Sequence, residues 1–426
     1  MRVCILTQHF APEVTAGRFR LEAFAEGLVG RGHDVHVICP VPNHPRGVVE
    51  TGYRHRPVIR RVVNGSRVTY LRVFTAREKT LRTRLGYYGS YSALACVAGA
   101  LGARPDVVLA SSPPLSVAAA GALLAARHRT PFVLDIRDLW PHSAVALGEL
   151  GQGRLLAGAR RLERWVYARA ARIVTVNDAF RDWIEARAPA GARIDVIPNG
   201  TSREWLAVGE REVDRSSVGL PDDRFIWAYA GNVGLAHGLE FAVEAARVLG
   251  DDYLLLVIGD GPRRAAFEEA AARANPGTVE LRDLMPAAEA GVRLRAADAV
   301  LVSERQELTV SAKLYDVCAV GRPLVAACRG EMSRLVDGER IGLVVPHGEP
   351  ALLAAAIRRL RAEPALREEL SQRARTFARR HLRGEQARSL AEMLESAAGT
   401  ERARGAEAGP AGTGSSHADA NTASSR

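Results

Sequence analysis

Short apolar runs rich in valine and isoleucine alternate along the chain with longer segments of helical periodicity. The first half contains the runs VCILT, DVHVICP, DVVLASS, PFVLDIRD, RIVTVND and RIDVIPNG. The second half restarts the pattern with FIWAYAGNVG, YLLLVIGDG, ADAVLVSE, RPLVAA and IGLVVP. Apolar runs of this length, separated by amphipathic helices, are typical of buried strands in parallel sheets. The pattern therefore predicts an α/β fold with two doubly wound, Rossmann-like domains that face each other across a cleft.

The division into domains follows from a polar, irregular segment at residues 201–224. We expect residues 1–203 to form the first domain and residues 204–375 the second. Residues 376–396 are expected to form a helix that packs back on the first domain. Residues 397–426 are rich in Gly, Ala, Ser and Thr and contain no aromatic or aliphatic β-branched residue, so a disordered tail is predicted there.

Composition is that of an ordinary globular protein. Of 426 residues, 47% are hydrophobic and 25% are charged, which excludes a largely disordered or collagen-like chain. The formal net charge is +10, and Lys79 and Lys313 are the only lysines. A basic surface suits anionic substrates, membranes or nucleic acid. Because the arginines are dispersed and no recognised nucleic-acid-binding module is present, nucleic acid is not an expected partner.

Cysteine usage and the amino terminus indicate a cytoplasmic location. The five cysteines are scattered and lack CxxC or Cys/His metal-ligand spacing, which is typical of buried thiols in a reducing compartment. The apolar run at the amino terminus is too short for a signal peptide.

One stretch, residues 85–101, is uncharged and follows a basic run that contains Arg82 and Arg84. Its length is at the lower limit for a membrane-spanning helix. Its Gly, Ser, Tyr and Ala content favours a helix buried in the α/β domain. A helix that lies at the membrane interface, with peripheral contact at the inner face of the cell membrane, is a further alternative.

Candidate chemistry lies in the loops after the strands, because ligands of open parallel sheets bind at the carboxyl ends of the strands. In the first half, Gly17 precedes a helix and allows backbone amides to approach an anion, although no GxGxxG fingerprint is present. Arg137 and Asp138 end an apolar strand, where charge is costly without a partner or ligand. An ion pair between them is one interpretation, and we favour a site role for at least one.

In the second half, the loops at residues 230–238 and 259–262 combine glycines with His237, at a place where an anion would bind. Lys313 falls in the first turn of a predicted helix, where the helix dipole disfavours a cation. An anionic ligand such as a pyrophosphate would remove that conflict. Asp316, one turn on, is suited to the hydroxyls of a ribose. The alternative is a solvated Lys313 and a surface ion pair of Asp316.

Together these loops resemble the retaining glycosyltransferases of the GT-B class called family 4, or group 1. The closest likeness is to the branch that uses UDP-N-acetylhexosamine-type donors in surface polysaccharide synthesis. The resemblance runs from residue 1 to about residue 396. It rests on PNHPRG (42–47), SSPPL (111–115), DIRDLWPHSAVALG (135–148), VIPNGTS (196–202), YAGNVGLAHGLE (229–240), IGDGPRR (258–264) and SAKLYDVCAVGRPLVAA (311–327).

The resemblance implies roles for particular residues. The expected donor-binding residues are Gly17, Asn232, Gly234, His237, Gly261, Lys313 and Asp316. The expected catalytic residues are Asp138, Arg137, Lys313 and Glu307, and the expected acceptor-binding residues are Asn43, His44 and Arg18. Relatives carry Arg and Lys where Asn232 and His237 stand, so Lys313 takes more of the phosphate charge. The family has two Glu residues separated by seven positions, and the second of them matches Asp316. The first has no clean match, since Glu307 is displaced by one position and Glu304 by more.

The function that the resemblance implies is transfer of a sugar, with retained anomeric configuration, from a nucleotide-sugar donor. The acceptor would be a hydroxyl of a glycan, a polyprenyl-linked sugar or a small molecule. No cofactor is expected, and no metal is demanded because the chain lacks a DxD triplet. A nucleotide-sugar epimerase of the same architecture and a catalytically silent, membrane-associated partner subunit are the alternatives.

Overall fold

The computed structural model describes residues 1–44, 47–78 and 80–407, so part of the PNHPRG motif, Lys79 and residues 408–426 lie outside the described residues. Two mostly parallel sheets, each covered by helices on both faces, make up the structure. The predicted α/β fold with two Rossmann-like halves is confirmed. Every strand predicted from the apolar runs is present in the described part of the chain.

The first sheet has the order β3-β4-β2-β1-β5-β6-β7-β8. Its strands are β1 Arg2–Leu6, β2 Asp34–Pro40, β3 Val58–Val63, β4 Ser66–Leu71, β5 Val107–Ser112, β6 Phe132–Ile136, β7 Arg172–Thr175 and β8 Ile194–Val196. Its helices are α1 Ala16–Gly30, α2 Leu81–Ala100, α3 Leu115–His128, α4 His142–Ala146, α5 Arg154–Tyr167 and α6 Asp178–Glu185. Alternate residues of β1 enter opposite cores: Val3 and Ile5 pack on the α1 side, and Cys4 and Leu6 on the α2 and α3 side.

The second sheet has the order β11-β10-β9-β12-β13-β14 and is parallel throughout its described pairs. Its strands are β9 Phe225–Ala230, β10 Tyr253–Ile258, β11 Val279–Arg282, β12 Ala299–Ser303, β13 Leu324–Ala327 and β14 Gly342–Val345. The remaining helices are α7 Arg203–Gly209, α8 Glu240–Leu249, α9 Arg264–Ala271, α10 Ala287–Ala296, α11 Lys313–Val320, α12 Glu331–Glu339, α13 Pro350–Ala362, α14 Pro364–Arg380 and α15 Arg383–Glu407. Short 3-10 turns lie at Thr51–Tyr53 and Ser216–Val218.

The chain passes between the halves twice, and the two passages are hydrogen-bonded to each other. The Thr201 N–H donates to the His381 carbonyl at 2.8 Å, and the Arg383 N–H donates to the Thr201 carbonyl at 2.8 Å. Helix α14 packs against α11 of the second half, whereas α15 packs against α1 of the first. Leu390 and Leu394 of α15 are fully buried in the same core as β1. Helix α15 runs to Glu407, beyond the start of the expected tail at residue 397.

Strands β3, β4 and β11 were not predicted from the apolar runs. Strands β3 and β4 form an antiparallel hairpin whose turn has Asn64 and Gly65 at positive φ, the Asn-Gly signal of a two-residue hairpin turn. This signal is visible in the sequence.

Residues 85–101 fall largely within α2, whose Tyr91 and Ala95 are buried in the first-half core. Leu94 and Val97 of the same helix are exposed, so α2 is buried on one side only. Among the described residues, none of the helices has the length and apolar character needed to span a membrane.

Candidate functional site

Lys313 begins helix α11, and the backbone of the 230–238 loop closes over its side chain. A Cβ at Gly231, which has φ +140°, would lie 2.5 Å from Lys313 Cε. The Lys313 ammonium donates to the Tyr229 hydroxyl, which in turn donates to the Asn232 carbonyl at 2.7 Å. No side chain of the described residues caps α11, although the Leu314 N–H donates to the Ser311 carbonyl at 3.0 Å, so the start of this helix can still accept an anion. Burial lowers the pKa of Lys313 to about 7.

The glycines expected at this loop allow two backbone segments to meet. A Cβ at Gly259, which has φ +156°, would lie 1.9 Å from the Gly231 carbonyl oxygen. A Cβ at Gly261 would lie 2.4 Å from the Val233 carbonyl oxygen, and one at Gly234 would lie 2.5 Å from the Asn232 amide nitrogen. The structure therefore brings Asn232, Gly234 and Gly261 together, with the Asn232 side chain between the two loops.

Glu304, at the end of β12, is the buried carboxyl near Lys313. It is 3% exposed and accepts a hydrogen bond from the Gln306 N–H at 3.1 Å. Burial raises the pKa of Glu304 to about 7, and the positive charge of Lys313 offsets part of that rise. Glu307, the residue favoured from the sequence, is instead exposed, and its carbonyl accepts from the Glu331 N–H at 2.6 Å.

His237 lies in the same loop, and its imidazole is neutral. Its Nδ1 is 2.9 Å from the Ser303 carbonyl oxygen, which can only accept, so Nδ1 carries the proton and Nε2 is an acceptor. Burial, reinforced by the charge of Lys313, lowers the pKa of His237 to about 3. His347 Nε2 donates to the His237 carbonyl at 3.1 Å and braces the loop from the other side.

Asp316 does not present a free carboxylate, contrary to the expected ribose contact. Arg383 Nη2 donates to both of its oxygens, at 2.7 Å and 2.8 Å, and the Thr201 hydroxyl donates at 2.9 Å. Burial raises the pKa of Asp316 despite these donors. The residue thus joins α11 to the two chain passages between the halves. The contact is the ion pair that was considered as the alternative from the sequence. It is not at the surface, however, because the two side chains are only 15% and 18% exposed.

In the first half, Asp135 at the end of β6 organises a buried polar cluster. It is fully buried, with one oxygen 3.1 Å from Arg20 Nη2 and the other 2.8 Å from the Ser111 hydroxyl. Arg137 Nε donates to Ser111 Oγ at 2.7 Å, and its guanidinium lies over Gly17, where a Cβ would be 2.1 Å from Nη1. A larger residue at position 17 would displace the Arg137 guanidinium from this position. Arg137 Nε lies 3.8 Å from Asp135 Oδ2, so its ion-pair partner in the described structure is Asp135 and not Asp138, the partner considered as an alternative from the sequence.

Asp138 lies at a cavity of about 420 Å³ formed by both halves of the chain. Residues 138–147 and α6 line one side, and residues 305–309, including Glu307, line the other. Burial raises the pKa of Asp138, while the Ser143 hydroxyl and the charge of Arg137 act in the opposite direction. The Asn177 amide donates to the Leu308 carbonyl at 3.0 Å across this junction. Asp138 is therefore a carboxyl with a raised pKa at a cavity between the halves, which makes it a candidate general base.

Asn43 and His44, expected at the acceptor side, are positioned by Glu13. Both backbone N–H groups donate to Glu13 Oε1, at 2.8 Å and 2.9 Å. His9 Nδ1 lies 2.5 Å from the other oxygen of this carboxylate, and the pKa of Glu13 is lowered because the His9 and backbone bonds outweigh its burial. Arg18 forms an ion pair with Glu22 on α1, with 2.7 Å between Nε and Oε2, so its charge is neutralised within the helix.

Several functional candidates were not singled out from the sequence: Glu13, Tyr229, Thr201 and Arg383. Thr201 and Tyr229 lie within quoted motifs and Glu13 lies outside them, but all three have partners that are distant in sequence. Tyr229 ends an apolar strand and looks like any core aromatic. No cluster of His, Cys, Asp or Glu in the described part of the chain could hold a metal ion.

Two Rossmann-like halves with a polar cavity between them define the GT-B class of glycosyltransferases. A model of the glycosyl transferase 4-like domain matches residues 16–200, and a model named glycosyl transferases group 1 matches residues 224–363. The chain belongs to this group 1 family of GT-B glycosyltransferases and is a transferase enzyme.

Relatives and solved structures agree with that assignment. The chain is 24% identical over 405 residues to WcaI of Escherichia coli K12, a glycosyl transferase named for colanic acid biosynthesis, covering 86% of this chain and 98% of WcaI. It is 30% identical over 213 residues to the 2-deoxystreptamine glucosyltransferase of Streptomyces kanamyceticus, or 48% of this chain and 54% of that protein. The structure of Anabaena HepE in complex with UDP-glucose has a TM-score of 0.69 at 16% identity, covering 93% of this chain and 100% of that one.

Proposed function

We propose that the chain transfers a sugar from a UDP-N-acetylhexosamine-like donor to a hydroxyl acceptor, with retention of anomeric configuration. The donor nucleotide binds the second half at the 230–238 and 259–262 loops and the start of α11. The observation that carries this proposal is the position of Lys313 at the start of α11, where, among the described residues, it has no ion-pair contact and no side chain caps the helix. Burial lowers the pKa of Lys313 to about 7. A donor diphosphate supplies the missing negative charge.

Catalysis then follows from charge neutralisation of the leaving group. Lys313 and the first amides of α11 stabilise the charge that develops on the nucleoside diphosphate as the bond to the sugar breaks. His237 is neutral, so it contributes an acceptor at Nε2, which suits a donor hydroxyl or amide N–H. Glu304, whose pKa is also about 7, takes up a proton when the negative charge of the donor enters beside it.

The sugar and acceptor hydroxyl meet in the cavity between the halves. Asp138, with a raised pKa, handles the acceptor proton, and Glu307 from the opposite wall contacts the sugar hydroxyls. Arg137 cannot act as a base and instead holds the Gly17 loop beside the reacting groups. Attack occurs from the face of the leaving group and needs no enzyme nucleophile. Asn43, His44 and the Glu13 carboxylate form the mouth of the acceptor site.

A polyprenyl-linked acceptor at a membrane surface fits the exposed side of α2. Leu85, Leu94 and Val97 are 48%, 39% and 56% exposed along this helix, and Leu101, just after it, is 84% exposed. Arg82 is exposed at the amino-terminal end of the same side. An apolar helix side with a basic end is suited to the interface of anionic lipids. Flotation with anionic vesicles tests this, and Val97→Asp should reduce binding while leaving UDP affinity unchanged.

The test of the proposed reaction is a donor screen followed by product analysis. UDP-, GDP- and dTDP-sugars are compared by ligand-induced thermal shift, and we expect the largest stabilisation from a UDP-N-acetylhexosamine. With an acceptor supplied, NMR of the product should show the donor's anomeric configuration. Asp138→Asn should lower kcat by about 100-fold or more without weakening donor binding.

Two outcomes would contradict the proposal. Absence of a shift with every nucleotide sugar would remove the donor assignment. Formation of an isomeric nucleotide sugar in a reaction without acceptor would indicate an epimerase.

A further inference from the structure

A second cavity, of about 310 Å³, lies wholly within the first half, between α4, α5 and α6. Its charged wall is formed by Arg160 and Arg164 of α5 and by Arg187, just after α6. Arg160 and Arg164 are four positions apart on the helix and therefore project from the same side. None of the catalytic steps described above uses these three residues. The volume is within the range of small-molecule sites.

The cavity carries an uncompensated positive charge. Among the described residues, neither Arg160 nor Arg164 has a side-chain hydrogen bond or ion pair, and both are exposed to solvent. Arg187 donates to the Trp183 carbonyl at 2.9 Å, and this bond leaves its charge unneutralised.

The single acid that lines the cavity is Glu163, which works against an anion if it is ionised. It is 4% exposed, and the Tyr167 hydroxyl donates to it at 3.2 Å. Burial raises its pKa even though the three arginines act in the opposite direction. His142, which also lines the cavity, has a lowered pKa because of burial and the nearby arginines, so it adds no positive charge. The net charge of the side chains that line the cavity therefore remains positive.

Two rings connect this cavity to the cleft that holds Asp138. His142 and Trp183 line both cavities, and their ring centroids are 4.1 Å apart. The Arg187 guanidinium stacks at 3.4 Å from the centroid of a Trp183 ring. The two rings therefore form a wall that the two cavities share. A molecule that lies across the rings can therefore reach the reacting cleft at one end and the arginines at the other.

We propose that the Arg160, Arg164 and Arg187 cavity binds an oxyanion carried by the acceptor, so that the acceptor is an anionic sugar derivative rather than a neutral sugar. The oxyanion is a phosphate, a diphosphate or a carboxylate, all of which suit guanidinium donors. The inference rests on the proposed function, because the acceptor hydroxyl is placed at Asp138 in the neighbouring cleft. It adds the chemical class of the acceptor and the residues that select it.

The test measures binding of small probes to the full chain by isothermal titration calorimetry. The probes are glucose 1-phosphate, methyl glucuronide, farnesyl diphosphate and the neutral methyl glucoside. The variants are Arg160→Gln, Arg164→Gln and their double variant. Arg161→Gln is the matched control, because Arg161 is exposed on the same helix but does not line the cavity. Circular dichroism checks that each variant is folded.

We expect at least one anionic probe to bind roughly tenfold or more tightly than methyl glucoside. The double variant should weaken that binding by roughly tenfold or more, and the Arg161→Gln control by less than about twofold. The preferred probe identifies the source of the oxyanion: a sugar phosphate, a sugar acid or a lipid-linked diphosphate. Once an acceptor is known, the double variant should raise KM for it and leave kcat for saturated enzyme nearly unchanged.

Three results would overturn the inference. They are equal binding of neutral and anionic probes, equal losses in the double variant and the Arg161→Gln control, and no binding of any anionic probe at about 10 mM. UDP titrations on the same samples separate this inference from the proposed function. Failure of UDP to bind counts against the donor assignment alone, whereas intact UDP binding with loss of anion selectivity counts against the cavity alone.

Discussion

Each half of the molecule buries charged side chains at the ends of its strands, but the two clusters differ in how fully the charges are compensated. Asp135 accepts hydrogen bonds at both oxygens, from Arg20 and from Ser111. Lys313 and Glu304 have no ion-pair contact with each other among the described residues, and burial brings the pKa of each to about 7. A compensated cluster suits a scaffold, while an uncompensated one suits a site that awaits charge from a ligand.

The difference matters for assigning function to polar residues in a group 1 glycosyltransferase. By position alone, the two clusters are equivalent, because Asp135 lies at the carboxyl end of β6 and Glu304 directly after β12, and both are interior strands with parallel neighbours. Only the count of hydrogen-bond partners separates them. The experiments below remove a charge from each cluster and ask whether stability or ligand binding responds.

The largest expected effect is on stability, from Asp135→Ala. Removing this carboxylate leaves the charge of Arg20 buried and deprives Arg137 of its acid, so the free energy of unfolding should fall by about 3–5 kcal/mol. Urea denaturation measures the loss. The control is Asp178→Ala, which removes an exposed acid paired with Arg181 at 2.7 Å and should cost less than about 1 kcal/mol. Equal losses in the two variants would show that the Asp135 cluster is not a scaffold.

Lys313→Met should produce the opposite pattern. Methionine keeps the apolar stem that lies against Gly231 and removes a costly buried cation, so the free energy of unfolding should stay the same or rise by about 1 kcal/mol. Affinity for the nucleotide-sugar donor should fall by about 100-fold, since a charge-assisted contact to phosphate is lost. Urea denaturation measures the free energy of unfolding, and calorimetry on the same sample measures the affinity for the donor. A clear loss of stability with unchanged donor affinity would make Lys313 a scaffold residue.

Donor affinity should depend on pH through the same cluster. The lowered pKa of Lys313, about 7, rises when a diphosphate binds next to it, and so does that of Glu304, so binding takes up protons. Affinity is then highest below pH 7 and falls as the pH rises through 7 to 8. A UDP-sugar is the proper titrant, because it lacks the terminal phosphate that titrates near pH 6 in UDP. Lys313→Met should flatten most of the profile, and an unchanged slope in that variant would exclude Lys313 as the titrating group.

The smallest effect is expected from His237→Asn. The asparagine amide can still donate to the Ser303 carbonyl, and a histidine with a pKa of about 3 carries no charge to lose. Donor affinity should change by less than about threefold, with no change in its dependence on salt. Calorimetry at two ionic strengths checks both points. A loss comparable to that of Lys313→Met would mean that His237 is protonated in the complex.

How far the sequence could predict the site depends on how far apart its partners lie along the chain. The buried strands follow from local apolar runs, and Lys313 stood out because a cation in the first turn of a helix conflicts with the dipole. The contact of Asp316 with Arg383 joins residues 67 positions apart, and no local pattern indicates it. Likewise, the neutrality of His237 depends on burial against Ser303, which only the folded structure shows.

The residues that the sequence did not predict share one cause, which is the distance of their partners along the chain. Glu13, Tyr229 and Arg383 owe their roles to partners in other elements, while their own surroundings in the sequence are ordinary. The hairpin of β3 and β4 is different, because its Asn64-Gly65 turn is a local signal that was overlooked.

The paired passages at Thr201 and Arg383 have a consequence for exchanging donor specificity between relatives. Because α15 completes the core around α1, the second half is an insertion within the first. Its two junctions, at Thr201 and Arg383, lie next to each other. A chimaera that exchanges everything after Thr201 would also replace Leu390 and Leu394 in the core of the first half. A graft cut at both junctions, with α15 kept from the recipient, exchanges the second half alone.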